Sequence, residues 1–97
     1  MRKVILRPEA TRDINSIADY TIEQWDKDQA RKYITELRRA MERLSTAGML
    51  HPQSSLPFPG LRKMRCGHHL VYFLIDDAKV DVVRVLHEAM DVGARLG

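Results

Sequence analysis

Two adjacent histidines, His68 and His69, stand in the stretch CGHHLVYF beside the single cysteine, Cys66, and another histidine, His87, closes RVLH. Imidazoles work as acids, bases or metal ligands near neutral pH, and a thiol next to one can become a nucleophile. A metal needs its ligands on one face, whereas neighbours on a regular strand point to opposite faces. No HxH or HxxxH pair occurs, and Asp76, Asp77 and Asp81 gather at a different hairpin. No metal site is expected. No nucleophile elbow, P-loop or dinucleotide fingerprint occurs either, so no cofactor is expected. Cys66 alternates with Met64 and should face the core, where a free thiol behaves as a small hydrophobe. His68 would share that pleat face, which leaves a Cys-His pair open.

The cations are more informative. Arg62, Lys63 and Arg65 crowd one segment, with Lys63 and Arg65 on the face opposite Met64 and Cys66. Arg84 interrupts VVRVL, a strand that otherwise favours burial. A charge there must be paired or must open onto a site. On a regular strand Arg84 and His87 point to opposite faces. They meet only if the strand bends or ends near Leu86.

The elements that must position these groups follow from periodicity. KVILR, residues 3–7, reads as a strand, and Pro8 suits a first helical turn. Ile14, Ile17, Ala18, Thr21, Ile22 and Trp25 recur at helical spacing, giving a helix over roughly residues 9–25. Trp25 continues the apolar stripe, so a core position is its default, with an anchor for a partner as the alternative. DKD, residues 26–28, breaks the pattern and offers Asp28 as an N-cap. Ala30, Tyr33, Ile34, Leu37, Met41 and Leu44 then mark a second helix, with Arg38, Arg39 and Arg43 in its C-terminal half and Gly48 as its C-cap. Residues 48–60, rich in Pro and Gly, form a loop. Strands are expected over 61–66, about 69–76 and 79–87, joined as an antiparallel meander. The tail EAMDVGARLG adds a helical turn or frays.

The order is β-α-α-β-β-β, an α+β domain in which a two-helix hairpin covers one face of a four-stranded sheet. If each element reverses direction, the first strand lies antiparallel beside the last, and the whole sheet is antiparallel. The face away from the helices is then the open one.

A chain of 97 residues makes one domain, spanning 1–97. Its formal charge of +3 suits contact with nucleic acid or with an acidic protein. One cysteine suits a reducing cytoplasm, MRKVILRPEA has no signal-peptide core, and no apolar run is long enough for a membrane span.

RPEATRDINSIADYTIEQW resembles the opening of the RelE/ParE toxins, and LRKMRCGHHLVYFLIDDAKVDVVRVLHEAMD resembles their end. The RVLHEAMD ending is closer to the ParE branch. The resemblance covers nearly the whole chain and implies the same fold. It implies a toxin of a type II toxin–antitoxin pair, held in a hetero-oligomer by a ParD-like antitoxin whose C-terminal segment wraps it. Operator DNA would be met only through that antitoxin. ParE-like toxins inhibit DNA gyrase by binding, whereas RelE-like toxins cut mRNA on the ribosome. A third possibility is a non-toxic domain that only binds antitoxin. Relatives that cleave RNA often carry arginine in an HRLVY-like stretch; HHLVY has His69 there. A nuclease would then rely on Arg65, Arg84 and His87. For a binding toxin, Lys63, Arg65, Arg84 and His87 are the candidates for the target. Tyr20, Trp25, Arg38, Arg39 and Arg43 are the candidates for an acidic antitoxin tail.

Overall fold

The computed structural model describes residues 1–53 and 59–90. The elements are β1 (Lys3–Leu6), α1 (Pro8–Gln24), α2 (Lys27–Ala47), a 3-10 turn (Gly48–Leu50), β2 (Arg62–Cys66), β3 (His69–Ile75) and β4 (Lys79–His87). The expected order holds. Pro8 sits in the first turn of α1, where its missing N–H costs nothing. The cap of α2 is Asp26, not Asp28: its carboxylate accepts the Gln29 N–H at 2.7 Å. Asp28 lies in the first turn, where the helix dipole also favours a negative charge. The tail beyond residue 90 lies outside the described residues.

The sheet order is β1-β4-β3-β2. β2, β3 and β4 form the expected antiparallel meander, but β1 pairs with β4 in parallel, from Lys3 with Lys79 to Leu6 with Val82. The sheet is therefore mixed. Only Arg7 separates β1 from α1, too little chain for a reversal. The Arg7 N–H donates to the Val82 carbonyl at 3.0 Å. Two turns later Asp13 meets Arg84 and Val85. α1 thus runs on along β4 in the sense of β1. The reversal comes at Asp26, and α2 returns to the starting end, where the Arg2 N–H donates to the Ser45 carbonyl at 3.3 Å. β2 then starts at that end, and two hairpins leave β4 parallel to β1.

The helices bury Ile14, Ile17, Leu37 and Leu44 against Val71, Phe73, Val82 and Val85 of the sheet. Full burial of each such side chain stabilises the fold by roughly 1.5–3 kcal/mol. The far face is not the open surface expected from the sequence. Leu61, Tyr72, Val83 and Leu86 form a second buried cluster there. Both faces are served because β4 carries a bulge: Tyr72 pairs with Arg84 and Phe73 with Val82, leaving Val83 as the extra residue. Val82 and Val85, three apart, consequently both face the helices.

Candidate functional site

β1 covers β4 only as far as Val82. Beyond that point α1 lies along the strand edge, and a cavity of about 510 Å³ opens between them. Asp13, Ile17 and Tyr20 line its helix side, while Arg84, Leu86 and His87 line its strand side. His69 and Met90 contribute at its end.

Asp13 substitutes for the missing strand. Its carboxylate accepts the Val85 N–H at 2.9 Å, the Arg84 Nε–H at 2.7 Å and an Arg84 Nη2–H at 2.9 Å. This hydrogen bonding raises the Arg84 pKa further, against the opposing effect of burial. Arg84 and His87 keep opposite strand parity, but both line the cavity because it follows the strand's edge. The charge inside VVRVL is therefore explained by a carboxylate partner on α1.

A second set of groups sits at the end of the sheet. Tyr33 of α2 places its hydroxyl 2.6 Å from His69 Nδ1 and 3.3 Å from the Cys66 carbonyl, and it accepts the His68 N–H at 3.2 Å. With its proton directed to Nδ1, neutral His69 carries its own proton on Nε2. Burial first, then the neighbouring His87 and His68 rings, lower the His69 pKa to about 4. The His69 and His87 rings are 5.3 Å apart edge-on, and His87 stacks on His68 at 6.4 Å. His87 Nδ1 accepts the Ala89 N–H at 3.1 Å, so its neutral form is also the Nε2–H tautomer. Glu88 accepts from Arg65 at 3.1 Å and lies 3.0 Å from His68 Nδ1, a contact that lowers the Glu88 pKa.

The sequence candidates divide accordingly. Arg65 and His87 lie near one end of the sheet, while Arg84 and exposed Lys63 sit farther from that end, both level with Tyr72, on β4 and β2. His68 belongs to the turn between β2 and β3 rather than to a strand, so parity does not separate it from His69; both rings meet His87. Among the described residues no group of His, Cys, Asp and Glu is placed to hold a metal. Cys66 is half-buried against the core, and burial raises its pKa, the opposite of what a nucleophile needs. Trp25 is not in the core: it is 74% exposed, with Tyr20 at 63%. It follows the last residue of α1, where the stripe has run past the sheet. Ile22 is likewise exposed, and beside it Ala18, Ala30, Arg31 and Ile34 line a shallower groove between the helices. Arg38, Arg39 and Arg43 are exposed on α2. Tyr33, Asp13 and Glu88 were not singled out by sequence. Tyr33 fitted an apolar stripe, but its hydroxyl was the available signal, since a buried phenol requires a partner.

Residues 4–92 match the family described as the ParE toxin of type II toxin–antitoxin systems, parDE. The chain is 38% identical over 97 residues to Toxin ParE of Escherichia coli, covering 99% of this chain and 94% of that one. It is 34% identical over 95 residues to Toxin ParE1 of Mycobacterium tuberculosis, covering 97% of both. In structure it is similar to a chain of the chromosomal ParDE system from P. aeruginosa, with a TM-score of 0.79, 15% identity and coverage of 90% and 96%. It is also similar to a chain of the RelBE2 toxin–antitoxin complex of Mycobacterium tuberculosis, with a TM-score of 0.68, 18% identity and coverage of 89% and 96%. At these identities the structural likeness speaks for the fold. Among the described residues no helix is long and apolar enough to cross a membrane.

Proposed function

Since this chain belongs to the ParE toxin family of type II toxin–antitoxin systems, we propose that it acts in the cytoplasm by binding and inhibiting DNA gyrase, without chemistry of its own. The observation that carries this choice over mRNA cleavage is the state of His69. Cleavage needs a cation for the phosphate and a poised acid and base. Where an RNA-cleaving relative would keep arginine, this chain has an imidazole, half-buried, bonded to Tyr33 and held neutral by a pKa of about 4. The other cations named for cleavage are engaged: Arg84 by Asp13 and Arg65 by Glu88. Exposed Lys63, Arg65 and His87, with Arg84 at the cavity, remain the surface we assign to the target.

The antitoxin is taken to be a ParD-like protein whose tail docks on the helical hairpin. Tyr20, Ile22 and Trp25 present exposed apolar surface along α1, and the groove beside Ile22 and Ile34 has Lys27 and Arg31 at its rim. Arg38, Arg39 and Arg43 extend the positive charge along α2, which suits an amphipathic acidic helix. Operator DNA would be reached only through that partner.

Purified protein added to a gyrase supercoiling reaction should block supercoiling and leave mRNA intact in a reconstituted translation reaction read by primer extension. Codon-phased cuts with normal supercoiling would overturn the assignment in favour of a ribosome-dependent nuclease. No effect in either reaction would favour a domain that only binds antitoxin.

A further inference from the structure

We propose that the His69 imidazole, bonded to the Tyr33 hydroxyl and packed beside the His87 ring, is a proton-operated latch that holds α2 to the end of the sheet and opens on mild acidification. Tyr33 of α2 hydrogen-bonds the β2–β3 hairpin at three points: the Cys66 carbonyl, the His68 N–H and His69 Nδ1. The fit is close. Gly67 has φ +60°, and a Cβ there would lie 2.6 Å from the Tyr33 oxygen.

The groups facing His69 come from every neighbouring element. α2 supplies Tyr33 and, farther off, the Glu36 carboxylate; β2 and its turn supply Cys66, Arg65 and His68; β4 and its end supply His87 and Glu88. Across the cavity α1 contributes Tyr20 and the Asp13 carboxylate, the latter engaged by Arg84 and Val85. When His69 takes up a proton, its cation shares the end of the sheet with Arg65. Glu88 is the carboxylate bonded there, and it already serves His68 and Arg65. Once Nδ1 carries a proton it can only donate, so the Tyr33 hydroxyl must turn its own proton to the longer contact with Cys66 and accept from His69 as well as from the His68 N–H. Opening lets His69 take a proton in water, so acid favours the open form. Because His69 and His87 both line the cavity, opening reshapes the surface beside Arg84.

The sign and size follow from linkage. A ring that titrates at about 4 when closed, and at its ordinary value of 6.5 when open, favours opening roughly 20-fold more at pH 5 than at pH 7. Because the ring is only half-buried, solvent screening reduces this to on the order of tenfold. The test is amide hydrogen exchange on the full chain at both pH values, corrected for intrinsic rates. Amides of residues 66–69 and 87–88 should lose protection about tenfold more than those of the Asp76–Lys79 turn. His69→Gln should abolish the difference. A uniform loss along the chain, or the same selective loss in His69→Gln, overturns the proposal. If that variant does not fold, the His69 ring resonance of the parent protein decides. A latch keeps it unshifted through the ordinary imidazole range, whereas titration like free imidazole overturns it.

Discussion

Replacing Asp13 with alanine removes the group that joins α1 to the uncovered edge of β4. The Asp13 and Arg84 side chains are 13% and 20% exposed, so the pair is largely, not fully, withdrawn from water. Losing one partner of a buried ion pair costs about 3–5 kcal/mol. Two features reduce that figure here. A fifth of the guanidinium remains in solvent, and Arg84 keeps a further interaction beyond Asp13. The Val85 N–H, by contrast, loses its acceptor, which adds about 1–3 kcal/mol if water does not replace it. A net loss of about 2–4 kcal/mol is expected. For a domain of this size that lowers Tm by roughly 10–20 °C. The Arg7–Asp81 pair is an internal control. It has the same two-pronged geometry at 2.8–3.1 Å, but its arginine is 43% exposed. Arg7→Ala should therefore cost less than about 1 kcal/mol. Urea unfolding followed by circular dichroism measures both. A cycle with Arg84→Met should show a coupling above about 1 kcal/mol between positions 13 and 84. If Asp13→Ala costs no more than Arg7→Ala and the coupling vanishes, the carboxylate does not hold the helix to the sheet edge.

Three other expectations are simpler. Gly67→Ala should destabilise the fold by about 2 kcal/mol or more in urea unfolding, because a left-handed residue gains a Cβ that meets the Tyr33 hydroxyl. Trp25→Ala should change stability by less than about 0.5 kcal/mol, as the side chain is mostly in water, yet weaken antitoxin binding at least about tenfold by calorimetry. Replacing Arg38, Arg39 and Arg43 together by glutamate should also weaken that binding strongly, and unchanged affinity would place the antitoxin on another surface. For pH, the folded His69 pKa lies below its ordinary value. Its contribution to stability is thus present above pH 6.5 and is lost as pH falls toward about 4, amounting to about 1–2 kcal/mol after allowance for its exposure. His69→Gln should flatten that part of the stability profile, and an unchanged profile would refute the assignment.

Periodicity carried the secondary structure well because each element writes its own pattern. The stripes of Ile14 and Ile17 and of Leu37, Met41 and Leu44 are the buried faces of the two helices, and the three later strands fall within one residue of their expected bounds. The site was less legible because it is made of distant pairs. Arg84 demanded a carboxylate, but nothing local could choose Asp13 from among the acidic residues 71 positions away and elsewhere. Trp25 fitted the stripe of its helix, yet a stripe says nothing about where the sheet beneath it stops.

The direction of β1 shows what kind of information was missing. Alternating up and down is sound where a turn intervenes, as at Asp26 between the helices or at Gly67 between β2 and β3. Between Leu6 and Pro8 there is one residue, and no turn fits. Taking α1 onward in the sense of β1 reverses every later element and makes the last pairing parallel. It also creates the candidate site. A helix that turned back from Pro8 would lie over β1 and leave the upper half of β4 bare. A helix that continues lies beside β4, fills its edge with Asp13 and leaves the cavity that Arg84, His69 and His87 line. Lengthening the Leu6–Pro8 connection by a few glycines should therefore loosen the Asp13 contacts and the cavity together, while leaving the β2–β3–β4 meander intact in hydrogen exchange. If the meander loses protection equally, the two parts of the fold are one cooperative unit, and the short connection does not act on the site alone.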